Sequence, residues 1–289
     1  MRLRRAWLAV GLGLIAGMGG VRAQGPDATA VLTAARKALG GESRISAIKT
    51  LVIQGETRQV RGDNLVPIVF EINIELPDRY ARRDETPAVE SGYSTAGFSG
   101  ADLVLLPAPA TPPPAPQRAT RVAALKQDVQ RWWLGMFAGA FPAQPLEFTR
   151  LGIAESPQGK ADVIEAKGEG GFAARILINQ DSHLPVMLTW TPAPPAAPSA
   201  PRGGAALAPP AAPAPPAAPV PPAAPAAAGR GPATPPENRL YFADYRDVDG
   251  IQLPFRLRRA VGADTVEETT VDRYKLNARI DPKKFEVIK

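Results

Sequence analysis

The stretch Val66-Pro-Ile-Val-Phe-Glu-Ile-Asn-Ile-Glu-Leu76 is the clearest structural signal in this sequence of 289 residues. Large apolar residues occupy every second position from Val66 to Leu76, and three of the five positions between them hold Glu or Asn. Because successive side chains of a strand point to opposite faces, this alternation predicts a β-strand with one apolar face. Such a strand is typical of an antiparallel sheet that covers a core on one side.

Much of the remaining sequence also has strand character. Runs rich in branched and aromatic residues, bounded by turn residues, predict further strands. These runs are 51–60, 80–84, 102–106, 146–153, 161–167, 173–179, 184–190, 239–245, 251–261, 266–275 and a segment that ends at Phe285. Together the patterns predict about ten or eleven antiparallel strands.

Two helices are predicted. Asp27 can cap a short helix that runs to Leu39 and ends at Gly40-Gly41. Thr120 can cap a second helix in which apolar residues recur at helical spacing. These apolar residues are Val122, Leu125, Val129, Trp132, Trp133, Met136 and Phe137. The predicted fold class is therefore α+β, with a long antiparallel sheet and a few covering helices.

The first 23 residues have the three parts of an export signal. Arginines at 2, 4 and 5 precede an apolar segment over 6–20, and Val21-Arg-Ala23 supplies small residues before a cleavage site. We expect cleavage of 1–23, a periplasmic protein that begins near Gln24, and no transmembrane segment in the mature chain. Because Gln24 rather than cysteine follows the predicted cleavage site, we expect no lipid anchor.

The charge and the residue types exclude several kinds of partner. The formal charge is +6, but 1–23 holds four arginines and no acid, so the remainder carries only +2. No basic helix with interleaved aromatic residues occurs, and we therefore expect no nucleic-acid partner. The sequence has no cysteine and one histidine, His183. Thiolate chemistry is thus excluded and a zinc site is disfavoured, so we expect neither metal nor cofactor.

Two tracts rich in proline and alanine, 107–117 and 192–236, are predicted to be disordered insertions. The segments on both sides of the longer tract, 184–190 and 239–245, have strand character. The sequence therefore predicts one domain over 24–289, in which a long loop joins two neighbouring strands. Closing such a loop costs only about 2 kcal/mol more than closing a short turn.

Enzyme motifs in the sequence are incomplete. Gly97-Phe-Ser-Gly100 has half of a nucleophile elbow, but Ala101 stands where the second glycine belongs. Glu71 and Glu75 would lie about 13 Å apart along one strand, too far for a glycosidase pair. Asp249-Gly250 predicts a type I′ hairpin rather than a calcium loop. We therefore expect that the protein is not an enzyme. A hydrolase that uses Ser99 or a carboxylate pair is kept as a further hypothesis, behind the two that are given at the end of this section.

Two groups of arginines leave two interpretations open. They are Arg79, Arg82 and Arg83, and Arg256, Arg258 and Arg259. Each group fits a solvated strand face whose charges protect a sheet edge. Each also fits a basic rim that meets anionic headgroups or an acidic partner.

Four short segments resemble those of a known family. They are Ala38-Leu-Gly-Gly41, Leu76-Pro-Asp-Arg-Tyr80, Leu184-Pro185 and Asp244-Tyr-Arg-Asp-Val-Asp-Gly-Ile-Gln-Leu-Pro254. In this order after a signal peptide, they resemble periplasmic proteins of the LolA/LolB-like superfamily, which are related to outer-membrane lipoprotein-sorting proteins. The resemblance covers most of 27–289 outside the Pro/Ala tracts. It implies an incomplete antiparallel β-barrel whose concave face is covered by helices, around an apolar cavity that holds lipoprotein acyl chains in the carrier members.

The alternating strand and the aromatic helix fit the wall and the lid of such a cavity, and they fit a packed core equally well. The candidate ligand-binding residues are Phe70, Ile72, Ile74, Trp132, Trp133, Phe137, Trp190 and Phe242. The leading hypothesis is a soluble, monomeric periplasmic binding or carrier protein for an apolar or acylated ligand, with lipoprotein sorting to the outer membrane as one role. The alternative is a non-catalytic structural or interaction module of the envelope that uses the tract 192–236.

Overall fold

The computed structural model describes residues 27–62, 64–87, 92–156, 158–192 and 235–287. The predicted signal peptide over 1–23 and nearly all of the predicted insertion over 192–236 lie outside the described residues. Within the described ranges, no helix combines the length and the apolar character that a membrane crossing requires.

The described residues form one sheet of twelve antiparallel strands. The strands are β1 (Thr50–Arg61), β2 (Asn64–Glu75), β3 (Arg79–Glu85), β4 (Tyr93–Ser99), β5 (Asp102–Leu106), β6 (Leu146–Ser156), β7 (Gly159–Gly168), β8 (Ala173–Asn179), β9 (Pro185–Trp190), β10 (Asn238–Val248), β11 (Ile251–Val261) and β12 (Asp264–Leu276). The order across the sheet is β5-β4-β3-β2-β1-β12-β11-β10-β9-β8-β7-β6. Since β5 and β6 are edge strands that do not pair, the sheet is an incomplete barrel, as predicted.

Three α-helices accompany the sheet in the described ranges: α1 (Ala28–Ala38), α2 (Glu42–Ser46) and α3 (Ala115–Phe137). Asp27 caps α1 as predicted, because its Oδ1 accepts a hydrogen bond from the Ala30 N–H at 2.7 Å. The helix α3 begins before the predicted cap Thr120 and has proline in its first turn. N–H groups in the first turn have no partner within the helix, so the missing N–H of proline costs no hydrogen bond there. It takes in the last three residues of the predicted insertion 107–117, and 107–114 connects β5 to α3.

The helix α3 lies across the concave face of the sheet. It packs against β4 and β5 near one edge and against β8 and β9 near the other. One glycine allows this approach, since a Cβ at Gly135 would lie 2.0 Å from Cζ of Phe242 on β10. Phe70, Ile72 and Ile74 of the alternating apolar row in β2 are buried in the main core together with residues of α3. The concave face is therefore covered, as the sequence predicts.

Two further connections agree with the sequence. The strands on either side of the long Pro/Ala tract pair directly, with Trp190 opposite Asn238, so they are neighbours in one sheet. The β10–β11 hairpin has positive φ at both central residues, 53° at Asp249 and 80° at Gly250, as a type I′ turn requires.

Three elements of the structure differ from the prediction. The short helix α2 was not predicted. The segment that ends at Phe285 is a 3₁₀ turn (Pro282–Phe285) and not a strand, because Asp281 accepts a hydrogen bond from the Lys283 N–H at 3.0 Å and caps it. The strand β4 was not predicted at all. Its sequence holds small and polar residues, and Gly97 packs so closely on β3 that a Cβ there would lie 2.1 Å from the Tyr80 carbonyl oxygen.

Candidate functional site

A cleft opens at one end of the half-barrel, between α3 and the concave face of the sheet. Its volume is about 310 Å³, at the lower end of the range for ligand sites. The strands β3, β4, β9, β10, β11 and β12 contribute the floor and walls, and α3 contributes the roof. The helices α1 and α2 lie toward the opposite end, beside the β10–β11 hairpin.

One part of the lining is apolar. It consists of Ala96, Leu125, Trp132, Trp190, Leu240 and Leu257. Trp132 comes from α3 and Trp190 from the end of β9, and both indoles are partly exposed. Partly exposed tryptophans beside a cleft offer large apolar contact areas to a ligand.

The other part of the lining carries charge. It consists of Arg82, Asp84, Asp128, Arg131, Arg259 and Glu267. Arg82 Nε donates to Asp84 Oδ1 at 2.7 Å, and Arg131 Nη1 donates to Asp128 Oδ1 at 2.8 Å. The Arg131 guanidinium also lies 5.0 Å from the centroid of the Trp190 ring, a cation–π contact that holds the indole beside the cleft.

The concave position of these groups changes their titration. Desolvation by the surrounding protein raises the pKa of Asp128 although the side chain is 65% exposed, and the charges of Arg131, Arg259 and Arg82 lower it. Burial lowers the pKa of Arg131 despite its contact with Asp128. The pKa of Arg82 is raised, because burial lowers it but Asp84, Tyr80 and Glu267 together outweigh that effect. The cleft thus removes part of the hydration of Arg82 and Arg131, whose side chains are 18% and 13% exposed, and leaves Asp128 largely exposed.

Arg259 differs from the other two cleft arginines. Within the described part of the chain it makes no hydrogen bond or ion pair, and its Nε is buried without a partner. It lies beside a β-bulge, because Arg259 pairs with Glu267 on β12 while Ala260 pairs with Thr265. Glu267 accepts only long hydrogen bonds, of 3.4 Å each, from Gln59 and Thr269.

The structure places the eight predicted ligand-binding residues in two groups. Trp132 and Trp190 line the cleft. The other six are buried in the main core, each exposed by at most 4%: Phe70, Ile72, Ile74, Trp133, Phe137 and Phe242. Trp133 packs on Phe137 with ring centroids 4.4 Å apart and on Phe141 at 5.3 Å. The space beneath α3 is thus mostly filled by side chains, and the open volume lies at its end.

Comparison with known proteins identifies the fold. No family model and no curated protein matches the sequence. The chain is similar in structure to the LolA superfamily protein NE2245 from Nitrosomonas europaea, with 12% identity, a TM-score of 0.52 and coverage of 90% of this chain and 98% of that one. The chain has the LolA-superfamily fold.

Two other solved structures match less closely. A DUF1329 family protein from Desulfovibrio piger is 8% identical, with a TM-score of 0.46 and coverage of 90% of this chain and 97% of that one. A domain described as that of an outer membrane lipoprotein-sorting protein from Vibrio parahaemolyticus is 8% identical, with a TM-score of 0.47 and coverage of 89% and 97%.

The convex face of this LolA-like sheet holds a second cavity, of about 280 Å³. Glu71 lies beside it and accepts hydrogen bonds from Gln54 Nε2 at 2.8 Å, from Asn73 Nδ2 at 2.9 Å and from Lys284 Nζ. Burial would raise the pKa of Glu71, but the hydrogen bonds from Asn73, Lys284 and Gln54 lower it to about 2. Glu71 thus attaches the C-terminal 3₁₀ turn to the sheet.

Other residues considered for chemistry lie outside the cleft. Ser99 ends β4 beside a shallow surface pocket that also includes Pro77, and His183 lies in the turn between β8 and β9. Glu75 pairs with Arg79 at 3.3 Å instead of joining Glu71. Within the described ranges, no three His, Asp or Glu side chains are grouped as metal ligands.

Sequence reasoning missed Asp128 and Arg131 as cleft residues and left the arginine groups open. The structure separates each group by face: Arg82 and Arg259 line the cleft, whereas Arg83 lines the convex cavity and Arg258 lies over the Tyr241 ring at 4.5 Å. The available signal was the period of two, which places Arg259 on the same face of the strand as the buried Leu257.

Proposed function

We propose that the protein binds an apolar or acylated ligand, without covalent chemistry, in the cleft beneath α3. The observation that carries this proposal is an open cleft at the end of a LolA-like half-barrel, with two partly exposed tryptophans and four smaller apolar side chains in its lining. Exposed tryptophan beside a concave apolar surface is costly unless something covers it, and an acyl chain has the matching chemistry.

The volume of the cleft limits what it holds at one time. About 310 Å³ suits part of an acyl chain, and each methylene removed from water contributes about 0.8 kcal/mol. Beyond the cleft the core is filled, so a longer chain enters only if α3 moves away from β10. Gly135 of α3 packs directly against the Phe242 ring of β10, so this contact has to open when α3 moves away.

The predicted export signal supports a role in the periplasm, where acylated proteins and lipids are available partners. In that setting the protein would be a monomeric carrier or receptor of an acyl chain, and sorting of lipoproteins to the outer membrane is the finer role that we propose. Binding needs no nucleophile, which fits the position of Ser99 and His183 outside the cleft.

Native mass spectrometry of the protein purified from its own envelope fraction tests the proposal first. The expected result is a mass increment that corresponds to a lipid or an acylated peptide. The second test is titration with glycerol monododecanoate, an uncharged twelve-carbon ligand. Trp132→Ala should weaken this binding about tenfold, whereas Leu65→Ala, which shortens an exposed apolar side chain outside the cleft, should not change it.

Protein that carries no lipid and also fails to bind glycerol monododecanoate would refute the proposal. Deletion of 192–236 separates it from an interaction module of the envelope. A carrier keeps its affinity for the acyl ligand after the deletion, because β9 and β10 pair directly with each other, Trp190 opposite Asn238. An interaction module that uses the tract loses its partner instead.

A further inference from the structure

Two of the charged groups in the cleft form no ion pair in the described part of the chain. Of the three arginines and three acids in its lining, Arg82 pairs with Asp84 and Arg131 pairs with Asp128. Arg259 and Glu267 remain. They lie opposite each other on β11 and β12, and in the described part of the chain neither takes part in an ion pair.

Arg259 is the cation that is available to a ligand. Its Nε is buried and has no hydrogen-bond partner, whereas Arg131, whose Nε is also unpaired, uses its two Nη groups on Asp128 and Gln127. Leaving a buried donor unsatisfied is costly, and a charged donor more so. The planar guanidinium of arginine has five N–H groups whose arrangement matches a carboxylate or a phosphate. An anion of this kind would give the unpaired groups of Arg259 a partner.

The backbone beside Arg259 also departs from regular pairing. Val266 is the extra residue of the bulge between β11 and β12, since Arg259 pairs with Glu267 and Ala260 with Thr265. Bulges bend a strand and change the direction of a neighbouring side chain, and they are frequent next to binding sites. Here the residues beside the bulge, Arg259 and Glu267, line the cleft, and Leu257 from the same strand lines it too.

We propose that Arg259 binds the anionic group of an amphiphilic ligand, a carboxylate or a phosphate, whose apolar chain lies against Trp132 and Trp190. This inference rests on the proposed function, which supplies the chain-binding part of the cleft. Asp84 and Asp128 each form an ion pair with an arginine, and the charge of Arg259 acts on Asp128 as well. Glu267 lies directly opposite Arg259 without such a pair, so it is the main acid that opposes the bound anion. The ligand class is thus a lipid or acyl compound with a negative head.

Three ligands with the same twelve-carbon chain test this inference: dodecanoate, dodecyl phosphate and uncharged glycerol monododecanoate. Their affinities are measured by isothermal titration calorimetry below the micelle concentration of each. Arg259→Gln should weaken binding of the two anions about tenfold and leave the uncharged ligand within about twofold of the original affinity. Comparison of dodecanoate with dodecyl phosphate then shows which anionic group is preferred.

Two variants control for structural damage. Arg258→Gln removes the neighbouring charge on the convex face, and it should leave all three affinities unchanged. Glu267→Gln removes the opposing acid, and it should strengthen binding of the anions by a few-fold. Opposite effects of Arg259→Gln and Glu267→Gln on one ligand are a sign of direct electrostatics that general loosening of the cleft does not produce.

The outcomes separate this inference from the proposed function. If Arg259→Gln leaves binding of the anions unchanged, or weakens all three ligands equally, the role of Arg259 is refuted while chain binding stands. If the unmodified protein binds none of the three ligands, the proposed function itself fails.

Discussion

The main-chain N–H of Gln252 donates a hydrogen bond to the carbonyl oxygen of Leu39 across 2.9 Å. This contact joins the end of α1 to the first residues of β11, and Gly40 lies directly against the Gly250 carbonyl beside it. Two of the four segments that resemble the LolA/LolB-like superfamily therefore touch each other. Their glycines serve the close approach of two main chains at the end of the half-barrel away from the cleft.

Gly40→Ala should destabilise the protein. A Cβ at this position would lie 2.3 Å from the Gly250 carbonyl oxygen, and φ of 124° is unfavourable for any residue with a side chain. We expect a loss of about 1–3 kcal/mol in the free energy of unfolding, measured by urea denaturation. Gly41→Ala is the matched control, because Gly41 also has positive φ but no atom within 4 Å of the added Cβ. Equal losses for both variants would contradict a role for the close approach.

Gly135→Ala should displace α3 from the sheet. The added Cβ would lie 2.0 Å from the ring of Phe242, and a filled core accommodates such an atom only by moving the helix or the ring. We expect a loss of about 1–3 kcal/mol in stability by urea denaturation, together with a changed affinity for glycerol monododecanoate. Gly139→Ala is the control, since the nearest atoms there are 3.7 Å away. In the double variant Gly135→Ala, Phe242→Leu, the smaller side chain should restore part of the lost stability. If it restores none, the strain does not arise from the contact with Phe242.

The elements that were predicted correctly are those whose local pattern and tertiary role agree. The alternation in β2 and the Asp27 cap of α1 are both present in the structure. The strand β4 was not predicted because its sequence has low strand propensity. Gly97 is small because it packs closely on β3, and this tertiary contact cannot be read from propensity. The 3₁₀ turn Pro282–Phe285 differs from the predicted strand because Asp281 caps it, and Asp followed by Pro favours a turn.

The candidate site was only partly predictable, for a related reason. Periodicity reports which side chains turn away from water, and a cavity wall and a packed core share that property. Ile72 and Phe242 were therefore indistinguishable in the sequence from Trp132, although the structure buries the first two and leaves the third beside the cleft. Arg258 and Arg259 are adjacent in sequence and opposite in the sheet, and only the register of β11 shows which one faces the cleft.

Glu71 should make the free energy of unfolding depend on pH in the acidic range. Its pKa in the folded protein is lowered to about 2 from an ordinary value of 4.5. Because the folded pKa is the lower one, the stabilising contribution is fully present above pH 4.5 and is lost as the pH falls toward 2. Glu71→Gln should therefore reduce the free energy of unfolding at pH 6 and have a smaller effect near pH 3. Glu75→Gln, at an exposed ion pair, should show little of this dependence.

Phe285→Ala should destabilise the protein without affecting the cleft. Phe285 is 5% exposed and packs with Val52, Ala81 and Ile280 in a small core on the convex face, which the sheet separates from α3. Loss of the ring should cost about 3 kcal/mol, measured by urea denaturation, and Glu286→Ala on the exposed neighbour should cost almost nothing. The affinity for glycerol monododecanoate should be the same in both variants, because no residue of this cluster lines the cleft. A weaker affinity in Phe285→Ala alone would show that the convex face and the cleft are coupled through the sheet.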